Sequence, residues 1–196
     1  MPGKTKKGEK HRKDTLTDDR RSATVNLIKN EVLYVDLPLS EFELAAKRLA
    51  PMLHHTELDL SSTFSAMTGG SIYLKCENRQ KTGSFKIRGA SNKIAALMEN
   101  GGVSSVVASS AGNHAQGVAC AAKKFGIPAT IVMPKTAPIA KVQATEGYGA
   151  NVVLAGDCYD DAYKAACEIC ETEHATFLHP YNDLDVIAGQ GTLGLE

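Results

Sequence analysis

Long apolar runs and a net charge are both absent from this chain of 196 residues. A membrane-spanning helix needs about 20 consecutive apolar residues, so the sequence offers no candidate for one. The polar N-terminus also lacks the apolar core of a signal peptide. Because 43% of the residues are hydrophobic, the chain can still build a sizeable core. The composition therefore predicts a cytoplasmic globular protein with no membrane partner.

The cysteines show no spacing typical of a disulfide scaffold. There are five of them, at Cys76, Cys120, Cys158, Cys167 and Cys170. The last two form a C-x-x-C pair, but that pair lies in a helical pattern with no second ligand pair nearby. We therefore predict reduced cysteines and no metal site.

The N-terminal segment 1–24 is polar and basic, with eight Lys and Arg against four Asp and Glu. Its lack of apolar residues predicts a disordered basic tail. A basic tail could bind nucleic acid, but acidic residues are mixed in and no aromatic residues are interleaved. We therefore predict no nucleic-acid partner.

From residue 103 onward, strand and helix patterns alternate with short connections. The predicted strands are 103–109, 130–133, 152–154 and 176–178, and the predicted helices are 113–125, 139–148 and 159–173. This alternation predicts an α/β fold with an open, parallel, twisted sheet and flanking helices. Upstream, we predict a helix over 40–50, with Ser40 as its N-cap and Glu43 completing a capping box.

The most informative segment is Lys81–Ala90, between a predicted strand at 71–76 and a predicted helix at 87–98. A turn at Gly83 places Lys86 in the first helical turn. There the backbone N–H groups and the positive end of the helix dipole disfavour an ammonium ion. A neutral lysine amine can attack an aldehyde and form a Schiff base. A solvated lysine is the simpler alternative for this residue taken alone.

A second turn, Ser109–Gly117, follows the predicted strand at 103–109 and opens the next helix. Free N–H groups at such a turn suit a carboxylate or phosphate. Asn113 adds an amide donor, and His114 adds a donor whose charge can change near neutral pH. An ordinary helix start capped by Ser110 or Asn113 explains the same residues equally well when they are considered alone.

Together these segments resemble the fold-type II pyridoxal-phosphate enzymes, in particular the group of threonine dehydratases and serine racemases. The resemblance rests on Thr82–Ala90, on Ser110–Gly117 and on Pro180–Asp183 with the residues that follow, and it extends from about Asp36 to Glu196. It implies a two-domain, tryptophan-synthase-β-like architecture. A large cofactor domain would comprise 25–104 and 181–196, and a small α/β domain 105–180.

The resemblance also implies that the large domain is incomplete. Family members continue well beyond this length, and no Gly-Gly-Gly run that could bind the cofactor phosphate occurs in the chain. The full-length protein is expected to form a homo-oligomer.

The same resemblance assigns roles to individual residues. Lys86 would bind pyridoxal 5'-phosphate as a Schiff base and later accept the substrate's α-proton, and Phe85 would pack beside the cofactor ring. Asn113 would reach the ring's phenolic oxygen. The substrate carboxylate would be surrounded by Ser110, Ala111, Gly112, Asn113 and His114. Loss of the β-hydroxyl of L-threonine, or of L-serine, would then give a 2-oxo acid and ammonia.

Two alternatives remain open. The family's racemases carry a serine where this chain has Ala111, and a methyl group cannot exchange a proton, so a serine racemase is the less favoured activity. The chain could also be an inactive fragment or a non-catalytic binding module. The pattern G-x-G-x-x-G at Gly189–Gly194 satisfies a dinucleotide motif, but no full strand precedes it, so we reject a nicotinamide or flavin site.

Overall fold

The computed structural model describes residues 36–196, and the predicted tail of residues 1–24 lies outside them. Helix α1 spans Leu39–Leu49, and a two-stranded antiparallel sheet follows, formed by β1 (Leu58–Leu60) and β2 (Tyr73–Lys75). Helix α2, Ser62–Thr68, connects these two strands. A short 3-10 helix, Glu77–Arg79, leads to the turn before helix α3, Lys86–Glu99.

The rest of the described chain is built around a four-stranded parallel sheet. Its strands are β3 (Val106–Ser109), β4 (Ala129–Met133), β5 (Asn151–Leu154) and β6 (Thr176–Phe177), in the spatial order β5-β4-β3-β6. The intervening helices are α4 (Asn113–Phe125), α5 (Ile139–Gly147) and α6 (Tyr159–Thr172). Helix α7, Leu184–Gly191, and a 3-10 turn, Thr192–Leu195, follow. The predicted α/β fold with a parallel sheet is confirmed.

Side chains alternate between the two faces of this sheet, as strand geometry requires. Val106 and Ala108 of β3 pack in one core against helices α3, α4 and α5. Val107 of the same strand points to the other face, where it packs with Ala162 and Ala166 of helix α6. Helix α3 therefore shares a core with the parallel sheet, and the division into a large and a small domain stays a prediction.

Three upstream features differ from the sequence-based expectations. Helix α1 begins at Leu39, and its N-cap is Pro38 rather than Ser40, because the Pro38 carbonyl accepts the N–H of Glu41 at 3.0 Å and closes the first turn earlier. The predicted strand at 71–76 is only three residues long and pairs with β1, a strand that was not predicted. Helix α2, capped by the Ser61 hydroxyl, was also not predicted.

The glycines of the G-x-G-x-x-G pattern lie within or just after helix α7, not between a strand and a helix. At Gly189 the chain passes so close to helix α3 that an added Cβ would lie 2.7 Å from the Arg88 carbonyl oxygen. This glycine therefore allows two helix backbones to approach, which is a packing role rather than a phosphate-binding one.

Membrane-spanning helices and clustered metal ligands are both absent from residues 36–196. No helix in that range is long and apolar enough to cross a membrane. The same residues contain no group of three or more His, Cys, Asp or Glu arranged to hold a metal ion.

We expect Gly189→Ala to destabilise the protein by about 1–3 kcal/mol, because the clash with the α3 backbone outweighs the roughly 1 kcal/mol that alanine gains over glycine in a helix. Chemical denaturation measures this change. Gly194→Ala is the matched control, since an added Cβ there meets no atom within 4 Å. Equal stabilities of the two variants would show that the close α3–α7 approach is not required.

Candidate active site

Lys86 is the first residue of helix α3, and its amine is half-buried. The turn before it depends on Gly83, whose φ of +69° is favourable only for glycine. The Nζ atom of Lys86 donates to the Pro180 carbonyl oxygen at 2.8 Å and lies 5.5 Å from the centroid of the Phe85 ring. Burial lowers the pKa of Lys86, and none of the ion pairs among residues 36–196 includes it. A lowered pKa increases the share of nucleophilic amine at neutral pH.

The start of helix α3 lies against helix α4. A Cβ added at Gly117 would lie 3.1 Å from the Ile87 nitrogen and 3.2 Å from the Lys86 carbonyl carbon. Few side chains are tolerated at such distances from backbone atoms, so glycine allows the first turn of α3 to contact the second turn of α4. The residues of both predicted segments are thereby brought to one place.

Helix α4 begins without a side-chain cap. Its N-cap is Gly112, neither Ser110 nor Asn113, and the Ser110 hydroxyl instead accepts the Gly112 N–H at 3.2 Å. The first N–H groups of an α-helix have no partners within the helix, and the helix dipole places partial positive charge beside them. Ser110, Ala111 and Gly112 are partly exposed, and Asn113 is exposed at the first helical position. Four of the five predicted substrate-binding residues, Ser110–Asn113, thus form one continuous segment at the helix start, and the fifth, His114, is buried in the first turn of the helix.

This turn lies at a switch point of the parallel sheet. Strand β3 pairs with β4 on one side and with β6 on the other. Helix α4 leaves β3 on one face, while helix α6 enters β6 from the opposite face. Open α/β sheets bind ligands at the carboxyl ends of the strands where the connections diverge in this way.

His114 differs from its predicted behaviour. Its ring is 3% exposed, and its Nε2 lies 3.1 Å from the Leu178 carbonyl oxygen. Since a carbonyl only accepts, Nε2 carries the proton and Nδ1 has a free lone pair. Burial lowers the pKa of His114 to about 4, against the opposing effect of that hydrogen bond. The expectation that its charge changes near neutral pH was wrong, because the ring is removed from water.

Four buried polar atoms in the segments around Lys86 have no hydrogen-bond partner within the described residues. They are Thr82 Oγ1, Ser84 Oγ, Ser109 Oγ and His114 Nδ1. A buried polar group left unpaired costs about 1–3 kcal/mol, so each of these atoms is available to pair with a polar ligand or a water. Three of them, Thr82, Ser84 and Ser109, were not predicted as site residues, although Thr82 and Ser84 belong to the lysine segment and Ser109 opens the second turn.

Pro180 and His179 were also missed as site residues. The Pro180–Asp183 segment was part of the resemblance, but nothing in a carbonyl's sequence position shows that it reaches Lys86. A cavity of about 300 Å³ lies elsewhere, between helix α1 and the residues after helix α7, and Arg88 rather than Lys86 lines it. In this chain the chemistry of the side chains, rather than cavity size, identifies the site.

Comparison with known proteins gives a consistent family. A family model described as pyridoxal-phosphate dependent enzyme matches residues 50–196. An L-threonine ammonia-lyase of Thermotoga maritima is 58% identical over 160 residues, which cover 82% of this chain and 40% of the relative. A catabolic L-threonine dehydratase of Staphylococcus aureus is 47% identical over 174 residues, which cover 88% of this chain and 50% of the relative. The chain thus spans about half the length or less of these curated relatives.

Solved structures similar to this chain include a threonine deaminase and a serine racemase. The processed form of threonine deaminase isoform 2 from Solanum lycopersicum superimposes with a TM-score of 0.75 at 36% identity, covering 80% of this chain and 46% of that one. Maize serine racemase superimposes with a TM-score of 0.76 at 40% identity, covering 80% of this chain and 47% of that one.

We expect the buried neutral His114 to make stability fall as the pH drops from about 6.5 to about 4. In that range the unfolded chain binds a proton at this residue and the folded chain does not, so folding loses up to about 3 kcal/mol. Denaturant titration between pH 4 and 7 measures the loss. His114→Gln keeps a donor for the Leu178 carbonyl but does not titrate, so the variant should show a flatter profile. Parallel profiles for the two proteins would contradict the assignment.

Proposed function

The chain belongs to the family of pyridoxal-phosphate dependent enzymes, and we propose that the protein is an ammonia-lyase that converts L-threonine, and also L-serine, to a 2-oxo acid and ammonia. The observation that carries this proposal is the half-buried Lys86, which has a lowered pKa and no carboxylate partner among residues 36–196. Its backbone lies against the second turn of helix α4, at Gly117, and that helix begins without a side-chain cap. Relatives and solved structures of threonine ammonia-lyases and deaminases support the choice of reaction.

The residues present fit pyridoxal 5'-phosphate as the cofactor. Lys86 supplies the amine that an aldehyde requires, and the Phe85 ring beside it is 40% exposed and offers an apolar surface. The unpaired polar atoms of Ser84, Ser109 and His114 can pair with the polar groups of a ligand. In our assignment Lys86 would hold the cofactor, with Phe85 and Asn113 beside its ring.

When bound, the cofactor would supply an electron sink that makes the α-proton of an amino acid removable. The chain's own residues then position the substrate and move its proton. The Lys86 amine accepts the α-proton. A desolvated amine with a lowered pKa can fill this role near neutral pH. The N–H groups at the start of helix α4 bind the substrate carboxylate, with Ser110, Ala111, Gly112, Asn113 and His114 surrounding it.

His114 contributes to this arrangement without changing its charge. Its proton is engaged by the Leu178 carbonyl, and its free Nδ1 can only accept a hydrogen bond. A neutral acceptor suits the substrate's ammonium or hydroxyl group better than its carboxylate. The Ser110 N–H already donates to the Val132 carbonyl, and the Gly112 N–H donates to the Ser110 hydroxyl. We therefore propose that the backbone N–H groups of Ala111 and Asn113, rather than the His114 ring, bind the carboxylate.

A racemase is the second candidate, since serine racemases are among the similar solved structures. Racemisation needs an acid/base group on each side of the α-carbon. Ala111 offers only a methyl group in the turn where the resembled racemases have serine. We therefore place elimination ahead of racemisation.

The remaining proposals concern the protein as a whole. We propose a cytoplasmic location, a small amino acid as substrate, no nucleic-acid or membrane partner, and a homo-oligomer for the full-length protein. The division at 105–180 into a small domain and the surrounding large domain is proposed in the same way. An inactive fragment or a binding module remains the alternative that the following experiment separates.

We expect pyridoxal phosphate to form one adduct per chain, on Lys86, when the purified protein is titrated, reduced with borohydride and mapped by mass spectrometry. Lys86→Ala should lack both the visible absorbance of the titrated sample before reduction and the adduct mapped after reduction. Lys123→Ala, a change of an exposed lysine on helix α4, should retain both. Scattered labelling of surface lysines would contradict the Lys86 assignment, and a Lys86 adduct without turnover of threonine would favour the binding-module alternative.

We expect the active protein to form pyruvate from L-serine without accumulating D-serine, because Ala111 cannot exchange a proton. Chiral chromatography of the reaction mixture measures both products. Ala111→Ser introduces a hydroxyl at this position and should raise the ratio of D-serine to pyruvate. Comparable amounts of D-serine and pyruvate from the unaltered protein would reverse the order of the two candidate activities.

A further inference from the structure

The segment that follows strand β6 supplies two backbone carbonyls to the site. The Leu178 N–H donates to the Val107 carbonyl at 2.8 Å, which continues the sheet beyond β6. The Leu178 carbonyl then faces the His114 ring, and two residues later the Pro180 carbonyl accepts the Lys86 amine at 2.8 Å. The position of Lys86 Nζ therefore depends on the shape of the turn at 179–182.

The ring of His179 holds that turn from inside. Its Nδ1 lies 3.3 Å from the Tyr181 nitrogen and 2.8 Å from the Asn182 nitrogen, so one ring atom accepts both backbone N–H groups. The ring also lies perpendicular to the Tyr181 ring, with centroids 4.6 Å apart, and its centroid is 6.3 Å from that of Phe177. The His179 ring is therefore held by residues that come both before and after Pro180 in the chain.

We propose that His179 is a positioning residue. Its acceptor nitrogen holds the 179–182 turn, so that the Pro180 carbonyl keeps the Lys86 amine in its partly buried, desolvated position. This inference rests on the proposed function of Lys86 for its catalytic meaning, but the geometry it describes does not require a bound cofactor. Proline suits the central position because it has no N–H to compete for the His179 acceptor.

The role requires a ring without a proton on Nδ1, since a protonated nitrogen cannot accept. The charged or titratable groups that act on His179 include Lys86 from helix α3, His114 from helix α4 and Asp183 before helix α7. Burial lowers the pKa of His179 and the Lys86 charge acts in the same direction, while Asp183 opposes them. Burial thus favours the neutral ring of His179, as burial of Lys86 favours its neutral amine.

The test measures the Lys86 amine itself in the 196-residue chain without added cofactor. Reductive methylation with formaldehyde and cyanoborohydride, followed by peptide mass spectrometry, gives the extent of Lys86 labelling at each pH. In the unaltered protein we expect the labelling midpoint below the ordinary lysine value. His179→Phe keeps an aromatic ring but has no acceptor, so the midpoint should shift upward and labelling at neutral pH should slow as Lys86 moves into water.

Two amide variants distinguish a positioning role of His179 from a role in packing alone. His179→Asn places an amide oxygen near the original Nδ1 and should retain the low midpoint. His179→Gln carries the same amide one methylene further out and should behave like the phenylalanine variant. If His179→Phe does not fold, as judged by circular dichroism, the Asn and Gln variants still decide the question. His55→Phe, a change of an exposed histidine outside the turn, controls for the loss of an imidazole.

An unchanged Lys86 midpoint in folded His179→Phe would overturn the inference, and so would equal shifts in the Asn and Gln variants. These outcomes are separate from failure of the proposed function. If the unaltered chain forms no pyridoxal adduct but the midpoint still follows the Asn–Gln order, the positioning role stands and the cofactor assignment falls.

Discussion

The close contact of helix α3 with helices α4 and α7 is the constraint on which the site depends. Gly117 of α4 meets the backbone at Lys86 and Ile87, and Gly189 of α7 meets the backbone at Arg88. Contacts between backbones leave little freedom, because no side-chain rotamer can adjust to absorb a shift. The backbone at Lys86 is therefore fixed by the path of three helices, and its amine is then held by the Pro180 carbonyl.

Two lysines of helix α3 show why burial alone does not decide the charge of a group. Lys93 is 7% exposed but forms ion pairs with Asp183 at 2.8 Å and Asp185 at 3.0 Å. Burial disfavours its ammonium form, yet these partners outweigh burial and raise the pKa of Lys93. Lys86 meets only a neutral carbonyl, so burial prevails and the pKa falls. The chemistry of the site follows from which of the two lysines has carboxylates beside it.

The ion pairs of the buried Arg88 on helix α3 have a complementary role. Arg88 is 1% exposed and pairs with Glu77 at 2.8 Å and with Glu196 at 2.7 Å. A buried pair contributes little net stability, but loss of one partner leaves an uncompensated charge. Arg88 thus links the 3-10 helix at Glu77–Arg79 to the residues after helix α7, and helix α3 between them cannot rotate freely.

How much of this could be predicted from the sequence depends on the range of the interactions involved. The strand and helix alternation from residue 103 follows from local periodicity, so the parallel sheet was predicted. The same holds for the positions of Lys86 and of the Ser110–His114 turn at helix starts. Strand β1 is only three residues long and lies outside that alternation, so no regular pattern of neighbouring elements marks it. The neutral state of His114 and the contact between Pro180 and Lys86 arise from residues distant in sequence, which periodicity cannot detect.

The electrostatics of the two helix starts also indicate how one lysine could serve two steps of the proposed reaction. In the absence of an anion, burial lowers the pKa of Lys86, so the amine can react as a nucleophile. A substrate carboxylate bound at the start of helix α4 would bring a negative charge toward the same amine. An opposite charge nearby favours the ammonium form, so the affinity of Lys86 for a proton would rise when the substrate is in place. That direction is the one required of a group that first attacks an aldehyde and then accepts the substrate's α-proton.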